Sequence, residues 1–145
     1  MKRKKFMMGI IFLLCGLTAC GSKSYADGIY KAQSQEYINE EDSAAGNGYG
    51  VVTLTISGGV ITDCQFQTFE LDGTLKDEEY GKENGEVANR DFYNKAQKAR
   101  AACDYYAEQL VEKGDLSDVD AISGATVNYQ EFQEAVSEAL KQAEQ

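Results

Sequence analysis

The chain has 145 residues, with 14 basic against 24 acidic side chains, a formal charge of −10, and neither His nor Pro. Without His it cannot build a Ser-His-Asp triad, a Cys-His pair, a His-ligated haem or the common zinc sets that contain His. So acidic a surface opposes nucleic acid and anionic lipid faces, and suits solubility and a basic partner.

The N-terminus carries Lys2, Arg3, Lys4 and Lys5, followed by an apolar run from Phe6 to Leu17. The run is shorter than the about 20 apolar residues a helix needs to span a bilayer. It has the length and flanks of a signal-peptide core. It ends in Leu17-Thr18-Ala19-Cys20-Gly21. Small residues before a Cys resemble the lipobox of bacterial lipoproteins, which are cleaved before the Cys and lipidated on its sulfur. An ordinary secretory signal that contains Cys20 is the alternative. The lipoprotein reading makes residues 1–19 a signal peptide, residues 20–26 a lipidated Cys and short tether, and residues 27–145 one domain. It places the mature protein on the extracytoplasmic face of the cell membrane, held by lipid. One acyl chain binds a membrane marginally, whereas two or more, at about 0.8 kcal/mol per buried CH₂, anchor durably. Loss of the four N-terminal cations leaves 10 basic against 24 acidic residues, a charge of −14.

Asp27-Gly28 opens a predicted strand from Ile29 to Ala32 or slightly beyond. Residues 39–50, rich in Gly, Asn, Ser and acid, read as a loop. Val51 to Ile56 alternates and is β-branched, Ser57-Gly58-Gly59 is turn chemistry, and Val60 to Phe69 alternates again, so a hairpin is predicted. A three-residue loop would set Val52, Leu54 and Ile56 opposite Cys64, Thr62 and Val60. Residues 70–90 are polar and punctuated by Gly73, Gly81 and Gly85, and read as loop or broken helix.

From Asp91 to Glu112 the period becomes helical: Phe92, Ala96, Ala99, Cys103, Tyr106 and Leu110 form one stripe. Lys113-Gly114 is its stop signal. A last helix is predicted from Asn128 to Ala143, with Phe132, Val136 and Leu140 on its apolar face and Asn128 with Glu131 as a capping pair. The sum is an α+β domain, a small antiparallel sheet packed by a long helix and a C-terminal helix.

Between the two helices stands Asp120-Ala121-Ile122-Ser123-Gly124-Ala125-Thr126. Its small residues let the backbone approach a bulky ligand. A helix N-terminus just downstream presents unpaired N–H groups and about half a positive charge, which suits a phosphate. Against this, Thr126 would also serve as a plain N-cap of the last helix. The stretch resembles the flavin-attachment sequence D-x-x-(S/T)-G-A-(T/S) of the FMN-binding domain family, and the order of strand, hairpin, long helix and terminal helix resembles that domain over roughly residues 27–142. In that family a flavin transferase, using FAD and Mg, links FMN through its phosphate to the last hydroxyl, here Thr126. The resemblance implies Ser123, Gly124 and Ala125 as cofactor-binding residues and Asp120 as an aid to magnesium during transfer. It implies no resident metal and no catalytic residue, because the flavin carries the chemistry. The family includes flavin-bearing subunits of the sodium-pumping NADH:quinone reductase and Rnf complexes, and lipoproteins that carry electrons outside the cell. This chain lacks the transmembrane helix of the complex subunits, so it fits the carriers better.

Other residues leave alternatives open. Tyr80, Phe69 and Tyr129 are candidates for a flat wall against the flavin, or are ordinary packing. Cys64 and Cys103 are too few for a Cys-only metal site; outside the membrane they either pair or stay as two buried thiols, the simpler reading. Three functions compete: an electron carrier between a membrane donor and an external acceptor or partner reductase, a non-flavin binding or structural lipoprotein of the same fold, and a flavin reductase with its own substrate.

Overall fold

A computed structural model describes residues 23–42 and 46–145; the signal segment and Cys20 lie outside them. The elements are β1 (Gly28–Gln33), β2 (Tyr49–Ser57), β3 (Val60–Phe69), α1 (Arg90–Lys113), a 3₁₀ turn (Leu116–Asp118) and α2 (Thr126–Ala143). The three strands form an antiparallel sheet in the order β1-β2-β3. One face of it carries Val52, Leu54, Ile56, Ile61, Cys64 and Phe66 into the core. On that face α1 packs along β3, and α2 along β2 and β1. Tyr106, Leu110, Phe132, Val136 and Ala139 fill the space between sheet and helices. The fold is therefore the α+β arrangement that the periodicities predict.

The hairpin departs from expectation in register. Its turn has two residues, Gly58 and Gly59, with φ of 63° and 75°, and Ser57 pairs with Val60. Positive φ at both positions is what a type I′ turn needs, and its twist matches that of the strands. One residue later Thr55 pairs with Asp63 while Ile56 pairs with Ile61, so Thr62 is a bulge. The extra residue reverses the side-chain phase of β3. Val52, Leu54 and Ile56 thus face Phe66, Cys64 and Ile61, and Val60 is 61% exposed.

Helix α1 is delimited by chemistry visible in the sequence. The Asn89 side chain accepts the Phe92 amide at 3.0 Å, and Gly114 closes the helix in the left-handed region, its N–H on the Leu110 carbonyl at 2.8 Å. The expected stripe faces the core from Ala99 to Leu110, widened by Ala102 and Ala107, whereas its first members, Phe92 and Ala96, lie outside the core cluster. Helix α2 starts two residues before Asn128. Its N-cap is Ala125, with no side-chain cap. Asn128 instead reaches across to α1, donating to the Ala99 carbonyl at 3.2 Å, and Glu131 is buried rather than capping. Residues 70–89 run through tight turns without a helix, and Arg90 opens α1. Residues 24–26 run beside the C-terminus: the Ala26 amide donates to the Ala143 carbonyl at 2.8 Å, and the Gln145 amide to the Ser24 carbonyl at 3.2 Å. Among the described residues no helix is long and apolar enough to cross a membrane. Cys64 and Cys103 are both buried and not bonded to each other.

Candidate functional site

The segment before α2 is held down by two tyrosines. The Tyr106 hydroxyl accepts the Ile122 amide at 3.0 Å and donates to the Ala125 carbonyl at 3.3 Å. The Tyr129 hydroxyl donates to the Val119 carbonyl at 2.7 Å, and the two rings pack with centroids 5.3 Å apart. Val119 and Ala125 are buried. Between them the chain must turn back into a helix, and Gly124, at φ 84°, makes that turn. The result is an exposed Thr126 as the first residue of α2. Because Ala125 is the N-cap and no side chain caps the helix, the Thr126 hydroxyl is not spent on capping. The N-cap role that its residue type suggests is not the one it has.

Thr126 opens onto a cleft of about 370 Å³, within the range of small-molecule sites. Gly124, Ala125, Val127 and Asn128 form the wall beside it. Phe92, Lys95, Ala96, Ala99 and Arg100 of α1 line the cleft as well. Tyr80 and Lys76 come from the segment after β3, Thr68 from β3, and Asp42 and Gly46 from the loop before β2. Tyr80 and Phe92 meet edge to face, centroids 6.1 Å apart, so one part of the cleft is aromatic.

Apart from Asp42, the charged side chains that line the cleft, Lys76, Lys95 and Arg100, are opposite in sign to the net charge of the chain. The Lys98 ammonium lies 3.7 Å from where a Gly124 Cβ would stand. Lys95, Lys98 and Arg100 take no part in the ion pairs found among the described residues, which join Lys23 to Glu144, Lys82 to Glu79, Lys113 to Asp120 and Lys141 to Glu138. Lys76 is buried, donates to the Gly46 carbonyl at 2.8 Å and stands 5.3 Å from the Tyr80 ring centre. Burial holds its ammonium below the usual lysine range, while Glu131 and Glu70 pull the other way. Tyr80 is pushed up by burial, and further by the charges of Glu70 and Glu131.

The structure gathers Gly124, Ala125 and Thr126 on the cleft. Ser123 and Asp120 are exposed and do not line it. Asp120 sits 3.4 Å from the Lys113 ammonium, at the opposite end of α1 from Lys95. Of the aromatic candidates, Tyr80 lines the cleft. Phe69 stacks on Tyr49 at 5.5 Å, and Tyr129 packs on Tyr106 in the core. Phe92, Lys95, Lys98 and Arg100 were not anticipated as site residues, although Phe92, Lys95, Ala96 and Ala99 recur at steps of three and four on one face of α1. Lys76 and Glu131 carry no such signal. Among the described residues no cluster of three or more His, Cys, Asp or Glu side chains is placed to hold a metal ion.

The cleft suits an aromatic ligand with a phosphate: two rings, a small-residue wall, an uncapped helix N-terminus and nearby cations. The FMN-binding domain model matches residues 45–141. A crystal structure of a Clostridium perfringens protein superposes with a TM-score of 0.56 at 21% identity, over 82% of this chain and 88% of that one, a likeness of fold alone. A solution structure from Clostridium thermocellum is 24% identical over 80% of this chain and 90% of that one, with a TM-score of 0.41. No curated protein matches. The FMN-binding domain model matches more than half of the chain, which shows that the chain belongs to the FMN-binding domain family.

Proposed function

We propose that this flavin-binding chain holds its FMN covalently, through a phosphoester on Thr126, and works as an electron carrier rather than a self-sufficient enzyme. The observation that carries the reading is the exposed Thr126 hydroxyl, on the first residue of an uncapped helix that opens onto the cleft. In the transfer, run by a flavin transferase with magnesium, the Thr126 O–H bond breaks and its proton passes to solvent, the oxygen bonds to the FMN phosphorus of FAD, the pyrophosphate bond breaks, and AMP leaves. The helix N-terminus and Lys98 then face the phosphodiester charge, and Tyr80 and Phe92 offer the ring an aromatic surface. Tethering keeps the ring at high effective concentration, so the cleft need not enclose it. Bound FMN supplies the redox chemistry.

The carrier is anchored by lipid on Cys20 at the outer face of the membrane, where it takes electrons from a membrane donor and passes them to an external acceptor or a partner reductase. The basic run, the apolar core and the small residues before Cys20 support this location. The acidic remainder of the chain fits a basic redox partner and no nucleic acid.

Co-expression of the chain with an active flavin transferase tests the attachment. The expected result is an intact mass raised by one FMN less one water, with the modified peptide containing Thr126. An unmodified mass, with a control substrate fully modified in the same cells, contradicts it. Mixing the reduced holoprotein with membranes then tests the carrier role: rapid, reversible exchange is expected, and no exchange with any membrane donor counts against it.

A further inference from the structure

Glu131 and Lys76 are the buried acid and the buried base among the described residues, at 2% and 6% exposure. Neither carboxyl oxygen of Glu131 has a hydrogen-bond partner among the described residues. A buried carboxylate left in that state is destabilised by lost solvation, and relieves the cost by taking a proton. The fold makes room for it at Gly50, where a Cβ would stand 3.0 Å from the Glu131 Cβ and 2.6 Å from the Phe66 ring.

The charged and titratable groups around Glu131 come from each side. Lys76, which Glu70 also attracts, attracts it, and Glu134, on the same helix, repels it. Tyr80 and Cys103 both feel its charge, one from the segment after β3 and the other from α1. Glu36 and Tyr37 share a small groove with it. Gly50 and Phe66, its neighbours from β2 and β3, carry nothing that titrates. Glu131 does not line the cleft, but Lys76 does. Charge placed in the cleft therefore reaches Glu131 through the lysine between them in this electrostatic chain.

We propose that Lys76 and Glu131 are a charge-balancing pair that takes up one proton when the flavin in the cleft is reduced. The inference rests on the FMN reading above. Two electrons from the membrane donor and one proton from solvent enter the ring and leave it with one negative charge. Lys76 faces that charge, and a second proton from solvent forms an O–H bond on Glu131. Both are positioning residues: they act on the potential and its pH dependence, not on a bond of the substrate. Burial pushes the Glu131 carboxyl up to about 7, with Lys76 holding it back and Glu134 raising it further. Negative charge added beside Lys76 raises it again, so the extra proton is taken up above pH 7.

Potentiometry of the flavin-loaded full chain tests this, with Glu131→Gln and Lys76→Met beside wild type. One proton per two electrons gives a slope of about 30 mV per pH unit, and two give about 59 mV. Between pH 7 and 8.5 wild type is expected near the two-proton slope and Glu131→Gln near the one-proton slope. Redox-difference infrared spectra are expected to show a protonated carboxyl band appearing on reduction in wild type and missing in Glu131→Gln, a signal that a merely structural role would not produce. Lys76→Met is expected to have a lower potential than wild type. Fluorescent, loaded protein with equal slopes and no carboxyl band overturns the pair alone. A wild-type chain with no covalent flavin overturns the attachment reading, and the coupling with it.

Discussion

The Tyr106 hydroxyl of α1 donates to the carbonyl of Ala125 at 3.3 Å, which fixes the residue just before Thr126 against the core. The same hydroxyl accepts the Ile122 amide at 3.0 Å. Tyr106→Phe keeps the ring packing on Phe132 and Tyr129 but removes both bonds. The Ala125 carbonyl retains the Tyr129 amide, so the loss falls on Ile122. A cost of about 1–3 kcal/mol is expected, read from the urea midpoint. Flavin loading by the transferase is expected to slow several-fold, because the acceptor loop is no longer pinned.

Gly124 matters for its backbone rather than for space. Its φ is 84°, and the nearest atom to an added Cβ is the mobile Lys98 ammonium at 3.7 Å. Gly124→Ala is expected to cost about 1–2 kcal/mol through left-handed strain. Gly124→Asn is expected to cost less, because Asn tolerates that region. Equal denaturation midpoints for Ala and Asn would show that strain is not the cause.

Much of this fold was legible because its signals are local. The alternation of Val51 to Ile56 and the stripe from Phe92 to Leu110 each need only one element's own period. The register of the hairpin was not legible, since the bulge at Thr62 is decided by which residues the helices bury. Periodicity put the start of α2 at Asn128, because Thr126 and Val127 add nothing to its apolar face and Asn128 looks like a cap. Its side chain is committed to Ala99 on another helix instead. Gly124, Ala125 and Thr126 were readable as a run of small residues beside a helix start. Lys76 and Glu131 were not: one looks like an ordinary surface charge and the other like a capping partner, and both are covered where Lys76 closes over Gly48 and Glu131 over Gly50.

The Glu131 carboxyl gives the unloaded protein a distinct pH response. Its folded value of about 7 lies above the ordinary 4.5. Between those values the folded chain holds a proton that the unfolded chain has shed, so stability falls as pH rises through that window and stays low above it. Glu131→Gln removes the loss. The variant is expected to exceed wild type above pH 7 by up to about 3 kcal/mol, with the gap closing towards pH 4.5. Urea titrations of both proteins at pH 5 and pH 8 check this; a gap that does not change with pH contradicts it.

The two core thiols are expected to be inert in the native state. Burial pushes Cys64 up to about 12 and Cys103 up to about 11, so almost no thiolate forms at neutral pH. Iodoacetamide at pH 8 should leave both unlabelled until the chain is unfolded in urea, as followed by mass spectrometry. Rapid labelling of either in the folded protein would contradict the burial.

The covalent link to Thr126 is tested most directly by fluorescence on a denaturing gel. The chain, Thr126→Ala and Thr126→Ser are each expressed with an active flavin transferase, then fully unfolded and run together. The account predicts a fluorescent band for wild type, none for Thr126→Ala, and a retained band for Thr126→Ser, which keeps the hydroxyl. A dark wild-type band beside a fluorescent control substrate, or equal fluorescence in Thr126→Ala, would contradict it.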